Sequence, residues 1–439
     1  MATIIGTAAH IQAGDGRVLP RHLAAVSIGN ALQYYDFLLY AFFATQIGRA
    51  FFPSGEGSTS LLAALATFGV GFLMRPLGAV MIGRFADRAG RRRAMLASFT
   101  LMGVAMIGLA LTPSYEDIGL AAPLLVIVFR LIQGFALGGE MGPSTAYLVE
   151  SAPAHRRGLH VSLQYVGQDA AILTAGVVGF ALSSMVSAAA LDGWAWRAAF
   201  LLGAVIIPIG FRLRSDLAET LPVARIGESR VAPPALRRVR LLAFVLLAGS
   251  AVVSYVEFYL TTFVVATLKL SAQTAFLPTI AIGVTSMIFG PLGGWLSDRF
   301  GRKPVMIVPW LLLLAIGLPG FWLVVHVRTA AMLVVWAIIL AACVAPAIAA
   351  MLVGIAESLP ASVRCGTLGL TYAMAISVFG GSTQFAVAWL TGETGSPLAP
   401  AWYMAAAMLI VLIAMVLMPE SAPAKRDGEA VRRIDLRVA

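Results

Sequence analysis

The side chains of this chain that could do chemistry are few, and most stand inside apolar runs. The stretch "GNALQYYDFLLY", residues 29–40, carries Asn30, Gln33, Tyr34, Tyr35, Asp36 and Tyr40 within an apolar segment from about Leu23 to Ala44. Asp36 lies about 14 residues into that segment, about 21 Å along a helix rising 1.5 Å per residue. A carboxylate so far from water is costly unless it faces a cavity or a partner. Two roles meet that condition: a group satisfied by a neighbouring helix, or a proton carrier, since a carboxyl in low dielectric exchanges protons near physiological pH. Asn30, Gln33 and Tyr34 form an i, i+3, i+4 stripe suited to a cavity wall.

Arg130 is the one basic residue in the apolar run 119–149. A guanidinium can hold a carboxylate through two parallel hydrogen bonds. It can equally act as internal glue paired with Asp36 or Glu140, because a buried charge must be paired. Gln133 shares its face at i+3, and Glu140 follows seven residues later as a gate or second titrating site. In "HVSLQYVGQDAA", Gln164 and Gln168 are i, i+4, and Asp169 is offset by about 100°. The amides suit a substrate carboxylate or hydroxyl, and equally an interhelical bond. Tyr372 and Gln384 are further candidates late in the chain. Glu257 falls near one end of its run, where it would reach headgroups, and Trp194 and Trp196 read as interfacial belt residues.

The elements that position these residues must be membrane helices. The 439 residues are 59% hydrophobic and only 12% charged, with a mean hydropathy of +0.88, against about 25% charged in soluble domains. Twelve apolar runs can each cross a bilayer: roughly 22–50, 62–84, 93–113, 119–149, 158–186, 195–213, 239–268, 275–297, 304–326, 329–357, 365–391 and 400–418. All should be helices, because only internally hydrogen-bonded backbone is tolerated in lipid. No cleaved signal peptide is evident, and Cys343 and Cys365 are expected as free thiols.

The net charge of +10 does not point to nucleic acid. Of 31 Lys and Arg, 25 fall in alternate loops or tails, from Arg17 and Arg21 through Arg84–Arg93, Arg156–Arg157, Arg212–Arg240, Arg299–Lys303 and Arg364 to Lys425–Arg437. The opposite loops Pro113–Asp117 and Ser183–Asp192 hold none. This bias puts both termini and the long 214–238 loop in the cytoplasm.

The chain also repeats itself. "GRFADRAGRRR" (83–93) recurs as "GWLSDRFGRKP" (294–304), and "ESAPAHRRG" (150–158) as "ESLPASVRCG" (357–366). The halves are 1–213 and 239–439, joined by the basic linker 214–238. Parallel six-helix repeats place a binding site between the halves. The repeated loops are expected to act as gates rather than substrate sites. Asp87, Arg91, Glu150 and Arg157 would form one network, and Asp298, Arg302 and Glu357 its counterpart.

The loop G-x-x-x-D-R-x-G-R-R, present twice, resembles the signature of the major facilitator superfamily. "GNALQYYDF", "FLMRPLGAVMIGRFADRAGRR", "RLIQGFALGGEMG" and "WAWRAAFLLG" resemble its metabolite:proton symporter family. "TPSYEDIGLAAPLLVIVFRLIQGF", "GGWLSDRFGRK" and "VFGGSTQF" are similar to segments of citrate and tricarballylate symporters. The resemblance spans nearly all twelve runs. It implies two six-helix bundles, alternating access, and proton-coupled uptake of an organic acid across a bacterial cytoplasmic membrane. It implies a monomer with no cofactor, whose partners are substrate, protons and lipid. Family members usually carry an acidic residue where this chain has Gln33. That departure either concentrates proton coupling on Asp36 or calls it into question.

Residues alone leave the substrate open. Arg130 stands against Asp36, Glu140, Asp169 and Glu257, a balance that also suits a cation or a zwitterion such as betaine or proline. The resemblance is what points to a carboxylate. An enzyme is disfavoured: the chain has no phosphate-binding loop, no metal-spaced His/Cys cluster and no serine elbow. A non-transporting sensor of the same fold would bind ligand without flux.

Overall fold

The structure, a computed structural model, describes residues 31, 34–54, 57–89, 91–138, 145, 148, 149, 152–204, 234–423 and 425. Asn30, Gln33, Glu140, Glu150 and most of the linker lie outside the described residues. So do the side chains of Asp87, Arg91 and Cys365. Among the described residues the regular structure is helical, with no strand.

Among the described residues the longer helices, numbered α1 to α12, follow in the expected order. In the first half α1 covers 34–42 and, past a turn at Phe43, Ala44–Phe51. Helix α2 covers Gly57–Leu73 and Arg75–Ala89, interrupted at Met74; α3 is Arg91–Leu111 and α4 Ala121–Leu137. Helix α5 is Arg157–Met185, and the described part of α6 is 196–204. In the second half α7 is Pro234–Ala266, α8 Ala272–Phe300, α9 Arg302–Val327 and α10 Ala330–Ser358. Helix α11 runs Ala361–Ala375, a π turn Ile376–Gly380, and Gly381–Thr394; α12 is Ala399–Leu417. Among the described residues eight helices are long and apolar enough to span a membrane, and two shorter ones, Leu96–Leu111 and Ala121–Leu137, are apolar. Helix α7 opens five residues before the expected run because Pro234 sits at its first position, where a proline costs no helix hydrogen bond.

Each half packs through small residues, as lipid supplies no hydrophobic drive between helices. A Cβ on Gly134 of α4 would strike the Gly71 carbonyl of α2, backbone against backbone. Gly134→Val should therefore force α2 and α4 apart, costing about 1–3 kcal/mol or more by overpacking. Thermal unfolding in detergent should show a lowered midpoint; an unchanged midpoint would mean that α2 can move aside freely.

The halves meet most extensively along α5 and α8, which run antiparallel. At one end Gly158 and Gly294 bring the two backbones together, and at the other Gly179 faces Phe276. At the Phe276 end the Phe43 and Phe276 rings lie 5.3 Å apart, and Thr262 Oγ1 donates to the Ala41 carbonyl at 3.1 Å. Between the ends the Tyr34 and Tyr372 hydroxyls are 3.4 Å apart, and Ser377 Oγ donates to the Phe72 carbonyl at 2.7 Å. Among the described residues, then, the halves touch on both sides of the centre.

Two expectations fail here. Trp196 is fully buried against Phe51 and Phe200, with Arg197 over its ring, so it is a core residue; Trp194, 60% exposed, keeps a place at the surface. Glu257 does not reach headgroups: it is 5% exposed and faces the centre of the molecule. Residue count along α7 alone could not show which way its side chain turns.

Candidate functional site

Between the halves lies a cavity with about 100 Å³ of space for water-molecule centres. Its polar lining includes Tyr34 from α1, Tyr165, Gln168 and Asp169 from α5, Tyr255 and Glu257 from α7, and Tyr372 from α11. Helices of both halves therefore build one chamber. The π turn in α11 helps shape it: Ile376 lines the wall, while Gly380 lets the Tyr255 ring approach the backbone.

Beside this chamber, within the first half, is a second cluster. Gln133 Nε2 donates to Asp36 Oδ2 at 2.5 Å, and Arg130 Nη1 donates to Gln133 Oε1 at 2.6 Å. The Arg130 guanidinium lies over Tyr40, Phe68 and Phe37, at 4.4, 5.1 and 5.2 Å from their ring centres. Asp36, Arg130 and Gln133 are all essentially inaccessible, and none lines the cavity. Arg130 makes no direct ion pair with Asp36 within 4 Å; the Gln133 amide stands between them. Asp36 Oδ1 has no partner among the described residues.

Arg75 was not singled out from the sequence. It is buried in α2, with its guanidinium 4.1 Å from the Phe72 ring centre and 4.8 Å from that of Phe37. It lies close enough to Tyr255, Tyr34 and Tyr372 to act on them electrostatically, and its Nε has no partner among the described residues. It thus stands directly behind three tyrosines of the cavity wall. Among the described residues no carboxylate lies within ion-pair distance of Arg75 or Arg130. The sequence did carry a signal: in the apolar run 62–84 Arg75 is the one basic residue away from the end, where Arg84 stands.

The other expected contributors divide. Tyr34, Gln168, Asp169 and Tyr372 come together at the cavity. Gln164 does not; it accepts from Thr145 Oγ1 at 2.9 Å. Gln384 is fully buried in α11 away from the cavity, with neither amide atom partnered among the described residues.

The residues expected as a second-half gate do meet. Arg302 forms a two-point pair with Glu357, at 3.0 and 3.1 Å, and bonds Asp298 at 2.7 Å and Ser297 at 2.8 Å. Asp298 also accepts the backbone N–H groups of Gly158 and Leu159 at 2.8 and 3.0 Å. Those donors open α5, so a second-half carboxylate sits on the positive end of a first-half helix. Arg157 adds an ion pair to Glu357 at 3.9 Å across the same seam. Past α12, burial of Glu420 opposes its ionisation, but backbone N–H groups of Ala422, Lys303, Arg302 and Ser421 outweigh this and hold it below the usual glutamate range. Its stabilisation is complete above the ordinary range and is lost as pH falls through the lowered value.

Asp298→Ala should leave the Gly158 and Leu159 N–H groups unanswered and strip Arg302 of one partner. A loss of a few kcal/mol at this seam moves a two-state population strongly. Cysteines placed near Gly158 should become more reactive toward a membrane-impermeant thiol reagent in inside-out vesicles. Unchanged reactivity would show that the seam is held elsewhere.

Comparisons with known proteins agree with this architecture. Residues 23–220 match the family described as Sugar (and other) transporter, and residues 264–437 match the Major Facilitator Superfamily. The chain is 37% identical over 400 residues to a citrate-proton symporter of Klebsiella pneumoniae, covering 89% of each chain. It is 34% identical over 421 residues to an alpha-ketoglutarate permease of Escherichia coli strain K12, covering 93% of this chain and 94% of that one. It is 28% identical over 444 residues to a proline/betaine transporter of the same strain, covering 97% and 88%. A partially occluded, inward-open structure of the xylose transporter from E. coli superposes with a TM-score of 0.70 at 18% identity, over 91% of this chain and 98% of that one. The chain is a multi-pass membrane protein, a transporter rather than an enzyme, and it belongs to the major facilitator superfamily, within its metabolite:proton symporter family.

Proposed function

We propose that this protein takes up a di- or tricarboxylate, such as citrate or a related organic acid, together with protons by alternating access. The observation that carries the reading is Arg75, a buried guanidinium without a carboxylate partner among the described residues, set behind the tyrosines of the central cavity. Arg75 is not itself in the cavity lining, so a substrate carboxylate reaches it when the Tyr34, Tyr255 and Tyr372 side chains move aside, and then supplies the missing partner in the two-point geometry a guanidinium favours. The most similar curated proteins reported above act on citrate and alpha-ketoglutarate. Asp36 is assigned as a proton site, with the amide of Gln133 relaying its state to Arg130.

In this reading the basic loops face the cytoplasm, and with them the seam of Asp298, Arg302, Glu357 and Arg157. Both termini are cytoplasmic, the membrane is the bacterial cytoplasmic membrane, and the unit of transport is the monomer. Asp87 and Arg91, with Glu150, form the matching first-half gate. The halves divide at the 214–238 linker. Contacts at both ends of the cavity correspond to an occluded step of the cycle.

A zwitterion is the second reading, favoured by Asp169 and Glu257 on a cavity wall rich in tyrosine, which suits an ammonium group. A thermal-shift panel of organic acids against betaine and proline decides between them. Stabilisation by citrate or another polycarboxylate and not by betaine is expected. Stabilisation by betaine alone would overturn the carboxylate reading and leave the fold untouched.

A further inference from the structure

We propose that Asp169 and Glu257 form a second proton-binding site, shared between the two halves and separate from Asp36. The inference rests on the carboxylate reading of the substrate for its consequence, not for the existence of the site. Asp169 belongs to α5 of the first half and Glu257 to α7 of the second, and both line the same cavity. Both are buried, at 8% and 5% exposure, and they are close enough for Asp169 to act electrostatically on Glu257. Among the described residues Glu257 Oε1 has no hydrogen-bond partner and neither carboxylate has a basic group within ion-pair distance.

No basic residue lines the cavity beside the pair. The titratable groups around the pair are phenols: Tyr34 on α1, Tyr165 on α5, Tyr255 on α7 and Tyr372 on α11. From α8 the neighbour of Asp169 is Gly290, 3.9 Å from Asp169 Oδ2 to the place of a Cβ, and the cavity face of α10 is aliphatic apart from Met351. Arg75 stands beside Tyr255 and Tyr372, outside the cavity lining, and is not within ion-pair distance of either carboxylate. Two carboxylates enclosed together without a cation cannot both stay ionised, so the pair holds at least one proton when the chamber is closed. An entering polycarboxylate enforces this further, because an ionised pair would repel it across a narrow cavity.

The function follows from the placement on opposite halves. Closing the chamber brings the carboxylates together and favours proton uptake. Opening it parts them, admits water and favours release. Substrate entry and proton uptake are then linked at the cavity itself, while Asp36 acts from its own cluster. The pair adds one proton to each transport cycle beyond the one carried by Asp36.

The test uses the full-length protein in liposomes. Infrared difference spectra of ligand-free protein, taken between mildly alkaline and mildly acidic pH, should show a carboxyl C=O band. That band should survive in Asp36→Asn and lose a component in Asp169→Asn, in Glu257→Gln and in their combination. These amides match the acids in shape, and each single variant stands as a check should the combination fold poorly. A band unchanged in all three would overturn the site, whatever the substrate proves to be. Citrate binding by the wild type should weaken as pH rises, and the combined variant should lose about tenfold per pH unit of that dependence, the effect of one proton. An unaltered slope would overturn the linkage. Betaine binding at alkaline pH, lost in the combined variant, would overturn it too by making the pair an ammonium site. No citrate binding at any pH, with the infrared component intact, would sink the substrate reading and leave the proton site supported.

Discussion

Replacing Arg75 with alanine is expected to weaken citrate binding by about 30- to 4,000-fold, the equivalent of about 2–5 kcal/mol for loss of one partner of a buried charge pair. Arg75→Lys should be nearly as damaging, because an ammonium cannot reproduce the planar two-point grip. Arg130→Lys should behave differently. Arg130 is already bound to Gln133 and enclosed by Phe37, Tyr40 and Phe68, so its loss should reduce stability and coupling together. Equilibrium binding on purified, folded variants separates the two. Wild-type citrate affinity in Arg75→Ala would remove Arg75 from the substrate site.

The second large effect is on coupling. Asp36→Asn should abolish uphill accumulation while leaving counterflow exchange measurable, since exchange needs no net proton movement. The asparagine keeps a carbonyl oxygen for Gln133, so the bond at Asp36 Oδ2 can persist while the titratable group is gone. Accumulation driven by an imposed pH gradient, compared with substrate exchange in the same liposomes, reads both quantities. Full accumulation by Asp36→Asn would move proton coupling elsewhere, first to Asp169 and Glu257.

The fold was legible because its causes are local. Long apolar runs, alternating basic loops and two copies of one loop motif are properties of sequence order, and the twelve helices follow them. The site was less so, because depth along a helix does not say which way a side chain points. Asp36, Gln133 and Arg130 stand in one hydrogen-bonded row, and the cavity passes them by. Tyr34, Gln168, Asp169 and Tyr372 do converge on it. Gln164 turns to Thr145 instead, and Gln384 is buried elsewhere in α11.

Position in the run alone puts Glu257 at the lipid interface, yet the rotation of α7 carries it into the chamber. Arg75 was within reach of the same reasoning that picked out Arg130, being a guanidinium in the interior of an apolar span. What the sequence could not supply was its setting among Phe37, Phe72 and Tyr255, which come from three different helices.

Proton-coupled organic-acid uptake is tested most directly by citrate flux into liposomes that contain only this protein. With an inwardly directed proton gradient, labelled citrate should accumulate above its external concentration, and a protonophore should collapse that accumulation. Accumulation of betaine or proline but not of any carboxylic acid, or citrate accumulation that persists with the proton gradient dissipated, would contradict the account.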